Sequence, residues 1–165
     1  MERSDPAGDT ERELLLGWLD FHRAALADNC EGVSDEDLIR TGLGGTTMSL
    51  LGLVRHLTEM ERVHLTHCIG GAGPLEFVYG PYEDGGPEGD FDDLRPDMVE
   101  SSFAAWHRER DHADRLIAAV DSLDDRGRGR PRTLRENLLK VLQEYARHNG
   151  HADLIRQSID GSTGE

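Results

Sequence analysis

Apolar residues recur at helical spacing along four stretches of the chain, separated by stretches rich in glycine, proline and charge. The first stretch runs from about Glu11 to Asn29 and puts Leu15, Trp18, Leu19 and Leu26 on one stripe. Thr10-Glu11-Arg12-Glu13 before it has the S/T-x-x-E form of a capping box. After a Gly/Thr-rich loop, Thr41 to Thr47, a second helix opens at Ser49 and ends near Ile69. Phe103, Trp106, Leu116, Ile117 and Val120 mark a third, from about Asp97 to Val120, which Gly127-Arg128-Gly129-Arg130-Pro131 ends. A second capping box, Thr133-Leu134-Arg135-Glu136, opens a fourth helix that runs to about Ile159. No stretch reads as a strand, so the pattern predicts an all-α domain, a four-helix bundle. It is one domain of 165 residues, with residues 1–9 polar and frayed.

The connection between the second and third helices, residues 70–96, holds seven of the nineteen glycines and four of the six prolines, mixed with acid. No regular element is expected there. A link this long is either disordered or a functional lid, and Phe77, Tyr79, Tyr82 and Phe91 are aromatic side chains able to cover a pocket.

The fourth helix carries the candidate chemistry. On a wheel of about 100° per residue centred on Val141, residues Leu134, Leu138, Tyr145, Ala152, Ile155 and Ile159 fall within about 60°. His148 lies about 20° from that centre and Glu144 about 60°, so a carboxylate and an imidazole four residues apart both turn inward. A carboxylate in such a place wants a partner that offsets its desolvation, and a divalent cation is one. Glu and His at i and i+4 can share one ion, completed by a ligand from a facing helix. His56, between Leu53 and Met60 with Gly52 one turn earlier, offers that third ligand. Two His and one Glu leave positions open for water or substrate. The plainer reading is an ordinary i,i+4 pair beside a satisfied core histidine. His151 lies about 80° from the centre, where it would line the pocket or bond to backbone. His64 and His67 form an H-x-x-H of which at least one is expected on the surface, and His22, His107 and His112 lack partners at ligand spacing.

Composition narrows the field. A net charge of −15 argues against a nucleic-acid partner. No run reaches the roughly 20 apolar residues of a membrane span, and Met1 to Pro6 lacks a signal-peptide core, so a soluble, unexported protein is expected. Cys30 and Cys68 lie far apart without metal or redox spacing, which fits a reducing cytoplasm and packing thiols. No G-x-S-x-G, H-E-x-x-H or phosphate-cradling glycine motif is present. An acidic bundle with an uncovered apolar face would also form a homodimer readily.

Two segments carry a family resemblance. Ser49-Leu50-Leu51-Gly52-Leu53-Val54-Arg55-His56-Leu57 resembles the helix-2 metal motif of the DinB/YfiT-like superfamily of metal-dependent four-helix bundles. The run from Glu144 to Arg156, followed by Ile159-Asp160-Gly161, resembles the signature of an actinobacterial branch of it. Much of the superfamily uses three histidines; Glu144 in place of the second resembles the mycothiol-dependent maleylpyruvate isomerase branch. That resemblance implies His56, Glu144 and His148 as ligands to a divalent metal. Zinc is the expected ion, with nickel, iron and manganese chemically admissible. It leaves His151 outside the ligand set, as a residue toward the cofactor. The implied activity is that of a thiol transferase or isomerase in which the metal activates mycothiol, or a similar small thiol, against a small electrophile. A non-catalytic metal- or small-molecule-binding stress or resistance protein and a metal-dependent hydrolase are the alternatives. His64 and the enlarged 70–96 loop depart from the family pattern.

Overall fold

The computed structural model describes residues 4–42, 44–71, 73–80 and 89–164. Its α-helices are α1 (Glu11–Cys30), α2 (Asp35–Leu38), α3 (Leu50–Glu61), α4 (Val99–Ala118) and α5 (Leu134–Asp160), and the described residues form no strand. Four of them match the four periodic stretches. The one-turn α2 was not expected from periodicity, being too short to show any. It is held by Ser34, whose hydroxyl accepts from the Asp37 amide.

Both capping boxes form. Thr10 and Thr133 each accept the amide three residues on, and Glu13 and Glu136 reach back to the cap amides at 2.9 and 2.7 Å. Gly161 closes α5 in the left-handed conformation at φ 84°, where a β-carbon would be strained. Helix α3 does not stop at Glu61 but continues to Gly70 as a π-helix, Arg62–Gly70. The amides of Arg128 and Gly129 donate to the carbonyls of Ile69 and Cys68 at 3.0 and 3.2 Å, satisfying groups at the end of that segment. Gly127 and Gly129 lie so close to the Cys68 and His67 carbonyls that a β-carbon would collide with them. The glycines that end the third predicted helix thus serve as a backbone clamp on the second.

The core runs through all four long segments. It holds Leu19 and Leu26 of α1, Leu50, Leu53, Val54 and Leu57 of α3, Trp106 and Ile117 of α4, and Leu138, Val141, Tyr145 and Ile155 of α5. Within it, Arg23 of α1 donates twice to Glu61 of α3, at 2.7 Å each. The Tyr145 hydroxyl donates to Glu61 at 2.9 Å and accepts from the Trp106 indole at 2.9 Å. One buried polar chain therefore ties α1, α3, α4 and α5 together. No helix of the described residues is long and apolar enough to cross a membrane.

Candidate metal centre

Tyr145 faces the core, fully buried, and this fixes the rotation of α5. That rotation puts Glu144 and His148 at the edge of the buried face, where each side chain keeps 12% of its exposure. They stack as neighbours one turn apart, with Glu144 Oε2 3.5 Å from His148 Nε2. Across from them, α3 starts at Ser49, whose hydroxyl accepts from the Gly52 amide at 3.1 Å. Two turns on it presents His56, 20% exposed, with its ring centroid 4.6 Å from that of His148. His56, Glu144 and His148 each offer one ligand atom, and those atoms lie within 4.8 Å of one another. The three residues singled out from the sequence thus lie together on two helices.

The electrostatics suit cation binding. Burial pushes the His148 imidazole down to about 4, helped by the nearby His56 and His151, so it is neutral at pH 7 with a lone pair to give. Burial pushes the Glu144 carboxyl up, but the Lys140 ammonium that bonds it, with His148 and His56, holds it below its usual range. Lys140 is the only lysine in the chain, and it pairs with Glu144 Oε1. Glu144 is therefore an anion beside two imidazoles. His151 stands next to the cluster, its Nδ1 3.4 Å from His148 Nδ1.

The sequence reading missed what lies behind His56. Asp90, from the long connection, sits 4% exposed with Oδ2 2.9 Å from His56 Nδ1. Phe91 lies against the imidazole at a centroid distance of 5.5 Å. It occupies the space opened by Gly52, where a β-carbon would come within 2.6 Å of the Phe91 ring. Arg55 donates to the Gly89 carbonyl at 3.2 Å and lies over the Tyr79 ring at 3.7 Å, and the Tyr79 amide donates to Glu59 at 2.6 Å. Both sides of the connection are thereby fastened to α3 beside the cluster. Tyr82 lies outside the described residues; Phe77 is exposed. Period-based reading finds no Asp90 because nothing periodic surrounds it.

The other histidines separate. His64 is buried rather than on the surface, and His67 is half-buried, a correction that follows from the π-helical register, which rotates side chains differently from an α-helix. Burial pushes His64 down to about 4, with Lys140 and Arg132 adding to the effect. His107 and His112 are exposed, and His22 packs against Trp18. Cys30 and Cys68 are buried and free, and burial pushes the Cys30 thiol up to about 12 and Cys68 in the same direction. Neither thiol is poised as a nucleophile. A cleft of about 360 Å³ lined by Arg62, His67, Glu76 and His112 lies apart from the three-residue cluster.

The model of one family, described as mycothiol-S-transferase, matches residues 14–161. The chain belongs to the mycothiol-S-transferase family. The match spans α1 from its second turn on, the other three long helices whole, the connection between α3 and α4, and every residue of the cluster. No curated protein and no solved structure matches the chain. The family name points to a small-molecule thiol as substrate, and the donor set fits a metal: two imidazole nitrogens and a carboxylate, largely shielded from water.

Proposed function

We propose that this protein is a metal-dependent mycothiol transferase in which His56, Glu144 and His148 hold zinc and a thiol attacks a small electrophile beside them. The four long segments would then be the staves of a DinB-like four-helix bundle, and the 70–96 connection its lid. The observation that carries the reading is the convergence of these three donors in a chain of this family. A divalent ion there would lower the pKa of a coordinating thiol, supplying thiolate at neutral pH.

The chain's own residues prepare that site. Lys140 keeps Glu144 ionised, and burial keeps His148 neutral, so both donors are available without loss of a proton at pH 7. The nucleophilic sulfur comes from the small thiol, because both cysteines of the chain are buried with raised pKa values. His151, whose Nδ1 lies 3.4 Å from His148 Nδ1, would bond a polar group of the thiol or its adduct through its second ring nitrogen.

The test combines metal analysis with a conjugation assay. Purified protein is expected to hold close to one zinc per chain, and Glu144→Ala or His148→Ala to lose it together with mycothiol conjugation. Conjugation that persists in metal-free protein overturns the reading. Turnover of an electrophile without any added thiol would instead indicate a hydrolase, and ion binding without turnover across thiols and electrophiles a binding protein.

A further inference from the structure

The structure assigns Asp90 as the positioning residue of the candidate metal centre: its carboxylate on His56 Nδ1 holds the imidazole so that Nε2 is the nitrogen presented to the ion. This rests on the metal-centre reading above and adds a residue that lies on neither ligand helix.

A carboxylate only accepts hydrogen bonds, so a neutral His56 with Nδ1 2.9 Å from Asp90 Oδ2 must carry its proton on Nδ1. The lone pair is then on Nε2. An imidazole free to choose would divide itself between two tautomers and several ring rotations, and a ligand so divided binds more weakly. Asp90 removes the first choice, and Phe91 at 5.5 Å restricts the second. This is the carboxylate–histidine–metal arrangement by which outer groups orient a ligand and raise its basicity.

The burial of Asp90 is costly without such a purpose. It is 4% exposed, and its other oxygen, Oδ1, is buried with no hydrogen-bond partner among the described residues. A single hydrogen bond from an imidazole leaves a buried carboxylate incompletely compensated. An imidazole polarised by a cation on its far nitrogen is much better. Asp90 also belongs to the connection that Arg55 fastens through the Gly89 carbonyl, one residue away. Any ordering of His56 by Asp90 therefore requires that this part of the connection be seated on α3, so metal binding and seating favour each other.

The experiment measures zinc affinity by competition with a chromophoric chelator, for the wild type and for Asp90→Asn, Asp90→Ala and Glu144→Ala. In parallel, the ¹⁵N shifts of the His56 ring are recorded on metal-free protein. The expected result is one zinc for the wild type and none for Glu144→Ala. Both Asp90 variants keep the one-ion stoichiometry with affinity lowered about 10- to 100-fold, Ala more than Asn. Metal-free wild type shows His56 protonated on Nδ1, and Asp90→Ala shows a tautomer mixture. Unchanged affinity in both Asp90 variants, with Glu144→Ala still losing the ion, overturns the role of Asp90 and leaves the metal reading intact. So does an Nε2-protonated His56 in the wild type. Absence of zinc binding by the wild type removes the metal reading and this assignment together. Because the tautomer is read without metal and at a single site, loss of folding in one variant does not mask the answer.

Discussion

At the scale of single residues, the candidate centre is a problem of protonation state. A ligand must give up its proton before it can hold a metal, so each shift that removes a proton at neutral pH favours binding. Glu144 shows two opposed influences. Burial makes its carboxylate costly, and the ammonium of Lys140, together with His148 and His56, outweighs that cost. Lys140→Met should remove the chief influence that opposes burial, leaving only His148 and His56 against it, raise the Glu144 pKa, and move acid-driven release of zinc to higher pH. Following bound zinc by chelator competition across pH 4 to 7 measures this; identical release curves for variant and wild type would refute the role given to Lys140. His64 illustrates the opposite use of burial. Its folded pKa of about 4 lies below the ordinary value of 6.5, so the folded state binds fewer protons than the unfolded one between these values. Stability contributed by His64 is complete above pH 6.5 and is lost as pH falls toward 4, by up to about 3 kcal/mol. His64→Phe should therefore show a shallower loss of urea resistance between pH 6.5 and 4 than the wild type. Equal slopes would remove the argument.

At the scale of elements, what matters is how the helices are held in rotation and register. The buried chain of Arg23, Glu61, Tyr145 and Trp106 takes one side chain from each of the four long helices. Since Tyr145 follows Glu144 directly, its bond to Glu61 also sets the face on which Glu144 and His148 stand. Glu61→Gln would take from Arg23 its one buried carboxylate partner and leave it the exposed Asp114 and Asp20, at 2.8 and 3.3 Å, and a loss of about 3 kcal/mol in urea unfolding is expected. Replacing both partners, Arg23→Met with Glu61→Leu, should recover much of that loss, because an apolar pair has no charge to desolvate. If the double variant is as unstable as the single one, the cost lies in packing and not in the guanidinium that lost its buried partner. The π-helical extension beyond Glu61 belongs to the same scale. Its last carbonyls are met by the amides of Arg128 and Gly129, an arrangement that needs the small glycines of that loop.

At the scale of the whole molecule, the centre spans distant parts of the chain. Helices α3 and α5 supply the candidate ligands, and the long connection before α4 supplies Asp90 and Phe91. A bound ion would join these parts and stabilise the fold by mass action, about 2.7 kcal/mol at a concentration one hundred times its dissociation constant. Calorimetry with and without zinc is expected to show the melting temperature rising with zinc in the wild type. Glu144→Ala should show no such rise, and a rise of equal size there would place the ion elsewhere. The acidic surface, at −15 net, favours the cation at long range, while Lys140 and Arg132 sit as local positive charges beside His64 and the cluster.

By itself the sequence determined the four long helices, because helix hydrogen bonds, caps and apolar stripes are all local, and Thr10, Ser49 and Thr133 mark the starts of three of them in the letters. It also determined that Glu144 and His148 share a face, since four residues make about one turn. Tertiary structure alone decided that His56 stands across from them, because helix rotation depends on contacts such as Tyr145 with Glu61 that no local rule contains. It alone decided that Asp90 backs His56, since Asp90 lies in an irregular segment where side-chain direction follows from fastening by Arg55 and Glu59 and not from a period. The burial of His64 belongs with these, because a switch from α to π hydrogen bonding changes which face a residue takes while leaving the apolar pattern unchanged.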